Sequence, residues 1–312
     1  MREASRKKGE GSVNSKTMVL CLCMAYSQVL AAAPAYGQSP LQPPFLISPG
    51  GDGAFPDATN TGVPAGITLS PSSSLSISTP GTVIDSKDIN GTIFIDANNV
   101  TVRRSRLRAS GAGYVIRVNF GRTGAVIEDN EVDGLGNSDK CVAGENVTVR
   151  RNNIHGCQDG GILWSGSTWE DNYIHDLNCG SICSNAGHFD GVEMDGGNNN
   201  VTVRHNTIDQ DQWTQTSAVQ INNGFGGSSN ILIENNLLIG AGYTCYRDAN
   251  QGSGSLNVTY RNNHLVSCQG SMTSNGCTSK TGWFWGPVLS RGPGTMVWEG
   301  NVDHLTGAPI SQ

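Results

Sequence analysis

Charge is scarce in this chain of 312 residues. Asp, Glu, Lys and Arg together make up 15%, and the formal net charge is −6. With 20 basic against 26 acidic residues, the chain has no basic footprint for nucleic acid or for an anionic membrane surface. Aromatic residues are few at 6%. No apolar run reaches the ~20 residues that a helix needs to span a bilayer. No pair of CxxC motifs occurs, which argues against a structural zinc site.

Glycine is abundant instead, with 41 residues, set among regularly placed Val, Ile and Leu. That composition is not disordered; it fits many short strands joined by many turns. The first 37 residues read as a signal peptide. Arg2, Arg6, Lys7, Lys8 and Lys16 form its basic start, Met18 to Ala33 its apolar stretch, and Ala33-Pro-Ala35 and Ala35-Tyr-Gly37 its small-residue cleavage sites. The expected location is therefore secreted or periplasmic. Cleavage would remove five basic and two acidic residues and take the net charge to −9. It would also remove Cys21 and Cys23, leaving seven cysteines. In an exported protein some of these should pair. Cys179/Cys183 and Cys268/Cys277 are the expected local pairs, Cys141/Cys157 is a further option, and Cys245 is the expected free thiol.

Residues 38–80, rich in Pro, Ser, Thr and Gly, read as an irregular N-terminal segment and cap. From residue 81 to 312 a repeat governs the chain. Its clearest copy is Asn146-Val-Thr-Val-Arg-Arg-Asn-Asn-Ile-His155. Apolar-x-apolar triplets begin at Val100, Ala125, Val147, Ser167, Val201, Ile231, Val258 and Met296. Five residues on come Ser105, Asn130, Asn152, Asn172, Asn206, Asn236, Asn263 and Asn301, an expected turn position and amide ladder. The fourth position reads Arg103, Glu128, Arg150, Glu170, Arg204, Glu234, Arg261 and Glu299. Its sign alternates throughout, as in-register parallel strands require if neighbours are to attract. The period of two within each triplet makes it a strand. Copies roughly 20–25 residues apart, with insertions, predict an all-β parallel β-helix of about eight or more coils.

A second set of apolar strands precedes the triplets and is less regular. Such local breaks in a repeat often mark function. The segment His188-Phe-Asp190-Gly-Val-Glu193-Met-Asp195 places Glu193 and Asp195 on one strand face, with Asp190 at its entrance and His188 just before. Gln158-Asp159-Gly-Gly-Ile162 has the same shape one coil earlier, so Asp159 should neighbour Asp190. One coil later, Gln220 and Asn222 should neighbour Glu193 and Asp195. Lys140 and Arg247 are expected on either side, as a base or as a holder of a substrate carboxylate. Tyr243, Tyr246, Trp213, Trp283 and Trp285 could stack on sugar rings, whereas Trp164 and Trp169 read as inner residues. His155 and His175 share a repeat position with Asp133 and Asp209 and read as scaffold.

Three chemistries suit the cluster. Asp159, Asp190, Glu193 and Asp195 could bind Ca²⁺, which takes about six to eight oxygen ligands. A base beside a metal-neutralised uronate could drive β-elimination. A carboxyl pair could hydrolyse a glycoside.

The Asn-Val-Thr-Val-Arg-x-Asn repeats over about 81–304 resemble those of bacterial right-handed parallel β-helix proteins of the pectate-lyase-like superfamily. Phe55-Pro-Asp-Ala-Thr-Asn-Thr-Gly-Val-Pro-Ala65 and His188-Phe-Asp-Gly-Val-Glu193 are similar to stretches in secreted members. The complete catalytic signatures of pectate lyases and polygalacturonases are absent. The resemblance implies a right-handed parallel β-helix and a polysaccharide substrate; the superfamily spans lyases, hydrolases, epimerases and tailspikes. The leading expectation is a monomeric Ca²⁺-assisted lyase of a uronate polysaccharide, with His188, Lys140 or Arg247 as base. The alternatives are a hydrolase using Asp190 with Asp159 or Asp195, and a non-catalytic carbohydrate-binding surface protein.

Overall fold

The computed structural model describes residues 54–182, 188–211 and 216–312. The signal-peptide segment, Cys183 and Trp213 lie outside these. Among the described residues there is no α-helix, and the strands stack as a parallel β-helix with three faces.

The first face is built by the triplets. Its nine strands run in chain order from Val83–Asp85 to Met296–Glu299, all parallel. Val102, Ile127, Val149, Trp169, Val203, Ile233 and Tyr260 stack along its inner side, each wholly buried. The outer side carries the alternating charges in register. Arg150 lies 2.7 Å from Glu128, Arg204 2.5 Å from Glu170, and Arg261 2.7 Å from Glu234. Arg103 turns the other way, onto Asp85 at 2.9 Å. These half-exposed pairs fix register more than they add stability, since exposed ion pairs contribute about 0–1 kcal/mol each.

The asparagine ladder is continuous from Ser105 to Asn301. Each backbone N–H donates to the side-chain oxygen of the next coil's asparagine, at 2.9–3.0 Å. Each amide nitrogen, from Asn130 on, donates back to a backbone carbonyl. One expectation needs correction. The left-handed residue is not the ladder asparagine but the one before it: Arg104, Asp129, Arg151, Asp171, His205, Asn235 and Asn262 have φ between 47° and 58°. The ladder residue is selected for its paired donor and acceptor, which must be satisfied where no water reaches. Asn152→Ala should therefore lower stability by about 2–4 kcal/mol, because it orphans several buried backbone groups at once. Chemical denaturation followed by circular dichroism measures this. A loss below about 0.5 kcal/mol would mean that the ladder is incidental.

After each ladder residue the chain turns into the second face, from Arg106–Arg108 to Val302–Asp303. Branching from the same sheet is the third face, which includes Tyr114–Val118, Asp190–Met194, Ser217–Ile221, Tyr243–Asp248 and Gly286–Arg291. The long strands Glu131–Gly144 and Asn153–Leu163 span both. Strand formation begins earlier than the composition suggests. Ser70–Ile77, inside the segment read as irregular, pairs in parallel with Lys87–Ile95. Its alternation is masked by serine, which leaves only Leu75 and Ile77 to signal it.

Cys141 is bonded to Cys157 and Cys268 to Cys277, while Cys245 is free and buried. Cys179 is also disulfide-bonded; its expected partner lies outside the described residues.

Candidate active site

The third face brings together the residues that the repeat leaves unexplained. Asp159 pairs in register with Lys140 on one side. On the other, its Oδ1 accepts the backbone N–H of Asp190 at 2.8 Å. Asp190 pairs with Ser217, and Glu193 with both Ile162 and Gln220. Asp195 accepts the Asn222 amide at 2.8 Å. The expected adjacency of Asp159 with Asp190, and of Gln220 and Asn222 with Glu193 and Asp195, thus matches the register.

Glycine makes this packing possible. A side chain at Gly160 would collide with the Gly191 carbonyl and with Ile174; one at Gly191 would collide with the Ala218 carbonyl and with Ile208. Neither glycine has a positive φ. The two Asp-Gly pairs are therefore not tight turns. The glycines let successive coils close up, and the aspartates before them are pressed into the gap.

Lys140 organises the charge. Its Nζ contacts Asp159 and lies 3.2 Å from Glu193 Oε2 and 3.4 Å from Asp139 Oδ1. Burial works against this ammonium, but the carboxylates around it outweigh burial and push its pKa up. The carboxylates therefore favour the protonated form of Lys140. One ammonium balances about one buried carboxylate, so the other carboxyls keep protons. Burial, with Asp159 and Asp195 adding to it and Lys140 opposing, pushes Glu193 up to about 7. Burial likewise pushes Asp159 up to about 6 against the pull of Lys140. Asp190, 1% exposed, is held well above the usual carboxylate range by burial and then by the charges of Asp159 and Glu193. The Ser217 hydroxyl donates to Asp190 Oδ1 at 2.5 Å. The direct ion contact of Lys140 marks Asp159 as the charged member. Asp190 then holds its proton, and Glu193 exchanges its own near pH 7.

Other predicted residues sit differently. His188 is exposed two residues ahead of Asp190, and among the described residues it makes no hydrogen bond to the carboxylates. Tyr243 and Tyr246 lie on the coil above, edge to face at 5.6 Å. Arg247 does not reach the cluster. It is 5% exposed, and its guanidinium donates to Ser290 Oγ and to the carbonyls of Leu256, Gly292 and Pro293. Arg247 shares the buried side of its strand with Cys245, while Tyr246 between them is only half-buried. His175 is held on the second face by Asp176 and Asn153, both at 2.7 Å. Trp169 is in the core, but Trp164 is not: it stacks against the exposed Phe120 at 4.4 Å. Ser217 and Asp139 were not foreseen. Aligning Ser217-Ala218 under Asp190-Gly191 would have found the serine.

The carboxylates do not fit a calcium cage as they stand. Among the described residues no three or more His, Cys, Asp or Glu side chains are grouped to hold a metal ion, and an ammonium already lies between Asp159 and Glu193.

The pH dependence of stability follows from the same burial. Below the unfolded Asp value of 3.8 both states hold the Asp190 proton. As pH rises past it, the unfolded chain releases the proton first and native stability falls. Asp190→Asn should therefore be nearly neutral at pH 4 and more stable than the parent at pH 8. The gain should be at least about 1 kcal/mol, or roughly 2–4 °C in a domain of this size. Thermal melts across that range check it; an equal or lower melting temperature at pH 8 would refute a protonated Asp190.

No family model matches the chain, and no curated protein matches it. Among solved structures the chain is similar to a tailspike protein of E. coli bacteriophage HK620, determined as a double mutant in complex with a pentasaccharide. The identity is 13% and the TM-score 0.39, over 75% of this chain and 44% of that one.

Proposed function

We propose that this protein is an exported glycoside hydrolase acting on a polysaccharide, with Glu193 as its general acid and Asp195 as its second carboxylate. The observation that carries this reading is the Glu193 carboxyl, solvent-reached yet set 3.2 Å from the Lys140 ammonium among buried carboxyls and pushed up to about 7. A general acid works best with a pKa near the operating pH. Glu193 is also the member of the protonated pair that solvent reaches, with 18% of its side chain exposed. Asp190 is sealed beneath it and keeps the local charge low. Glu193 and Asp195 are two residues apart on one strand face, so their Cα atoms stand about 6.6 Å apart. In this reading Glu193 gives its proton to the glycosidic oxygen, while the Asp195 carboxylate stabilises positive charge on the sugar or activates water.

The Ca²⁺-assisted lyase is less well supported. A uronate chain would meet several carboxylates with a single lysine to offset them, and the cluster lacks a cation cage. The disulfides accord with an exported protein.

Incubation of the purified protein with neutral and uronate polysaccharides, read for reducing ends and for unsaturated uronides, tests the reading. Saturated reducing ends, unchanged by chelator, are expected. Unsaturated products that require Ca²⁺ would replace the hydrolase with the lyase. No cleavage of any polymer would leave the carbohydrate-binding alternative.

A further inference from the structure

We infer that the third face carries a sugar-stacking subsite on the N-terminal side of the carboxylates, built by Phe120 and Trp164, so that a glycan chain lies along the solenoid axis. The inference rests on the reading of this face as glycan-binding and adds where, and in which direction, the chain is held.

The ledge is assembled from two coils. Trp164 directly follows the strand that carries Asp159, and Phe120 follows the strand Tyr114–Val118. Their ring centroids are 4.4 Å apart with a 32° tilt, so the rings overlap and Trp164 backs the exposed Phe120 ring. Phe120 is 54% exposed, so one face of its ring is open to a ligand. The guanidinium of Arg117 lies 5.1 Å from the Tyr114 ring and 6.0 Å from the Phe120 ring and holds both in place.

Register ties this ledge to the site. Tyr114 pairs with Lys140, which pairs with Asp159. Arg117 pairs with Ala143, Ala143 with Ile162, and Ile162 with Glu193. Three rungs at about 4.8 Å put roughly 14 Å between Arg117 and Glu193. Ala143 and Ile162, the residues between them, are uncharged and form a low floor. An extended oligosaccharide could therefore stack one ring on the open face of Phe120, held in place by Trp164, while a linkage further along lies over Glu193. Aromatic faces suit the C–H face of a pyranose, and a rigid aromatic pair loses little entropy on binding.

Affinity electrophoresis of the full-length protein in gels containing laminarin, hydroxyethyl cellulose, glycol chitin, dextran or polygalacturonate tests this. Phe120→Ala and Trp164→Ala should weaken retardation by the retained polymer about 10- to 100-fold. Trp164→Phe should keep most of it. Phe120 is exposed, so its variant should melt as the parent does, which keeps the test independent of folding. Parent-like retardation of Phe120→Ala and of a folded Trp164→Ala would overturn the subsite, as would no retardation of the parent by any polymer. The failures of the two readings can be told apart. Retention through the ledge without cleavage leaves the subsite and removes the hydrolase. Cleavage with parent-like retention in both alanine variants does the reverse.

Discussion

Glu193→Gln is expected to lower the rate of polysaccharide cleavage by about 10²–10⁴-fold, the range for losing a positioned general acid. The variant should fold. Glutamine matches the glutamate in size, and its amide can donate to Gln220 Oε1, a buried acceptor that has no partner among the described residues of the parent. Glu193 and Gln220 are register neighbours, so the reach is short. The loss should fall in kcat with little change in KM, because the proton moves only in the transition state. The leaving group gives a sharper test. A dinitrophenyl glycoside departs without protonation, so Glu193→Gln should cleave it far better, relative to the parent, than it cleaves the polymer. The parent should also lose activity as pH rises through about 7, where Glu193 gives up its proton. An equal loss on both substrates would show that Glu193 does not act as the acid. A parent rate that climbs above pH 7 would point instead to base chemistry and β-elimination.

The scaffold was far more legible in the sequence than the site. Triplet positions, the asparagine ladder and the Arg/Glu alternation repeat many times. A single register satisfies all of them, and a one-residue slip would reverse every side chain. The site has no such redundancy. Asp159, Asp190 and Glu193 could be brought together because the Asp-Gly shape occurs twice and carries the register across. Arg247 could not be placed, since it follows the buried Cys245 by two residues and an inward arginine looks the same in sequence as an outward one. Trp164 was misassigned for a related reason. The triplet Ile162-Leu-Trp164 looks inward at its first and third residues, yet Ile162 lies in register with the outward Glu193 and Leu163 is buried, so alternation carries Trp164 outward. The charge states were not legible at all. They depend on the contact of Lys140 with Asp159 and on burial, neither of which is a property of one residue and its neighbours in the chain. That contact is also what moves the reading from Ca²⁺ and a basic catalyst to a buried lysine and a carboxylic acid.

Lys140→Met should be the most damaging single change to the folded state above neutral pH, at about 3–5 kcal/mol. The methionine fills much of the lysine's volume, so little of the loss comes from a cavity. It comes from Asp159, 1% exposed, which loses the ammonium in direct contact with it. Without that ammonium, burial alone governs Asp159 and Glu193, and their pKa values rise further. The sign of the pH dependence follows. Below about pH 4 the carboxyls are protonated in the folded and unfolded chains alike, so the variant should melt close to the parent. As pH rises the unfolded chain ionises freely while the folded one resists, and the variant should fall behind with every unit until the buried carboxyls give way. Melting curves of parent and variant from pH 4 to pH 8 should therefore diverge steadily. Lys140→Met, Asp159→Asn should recover much of the loss at pH 8, because removing both members of a buried pair costs far less than removing one. A uniform offset at all pH values would mean that Lys140 serves by packing alone. Failure of the double variant to recover would mean that Asp159 is not the charge it balances.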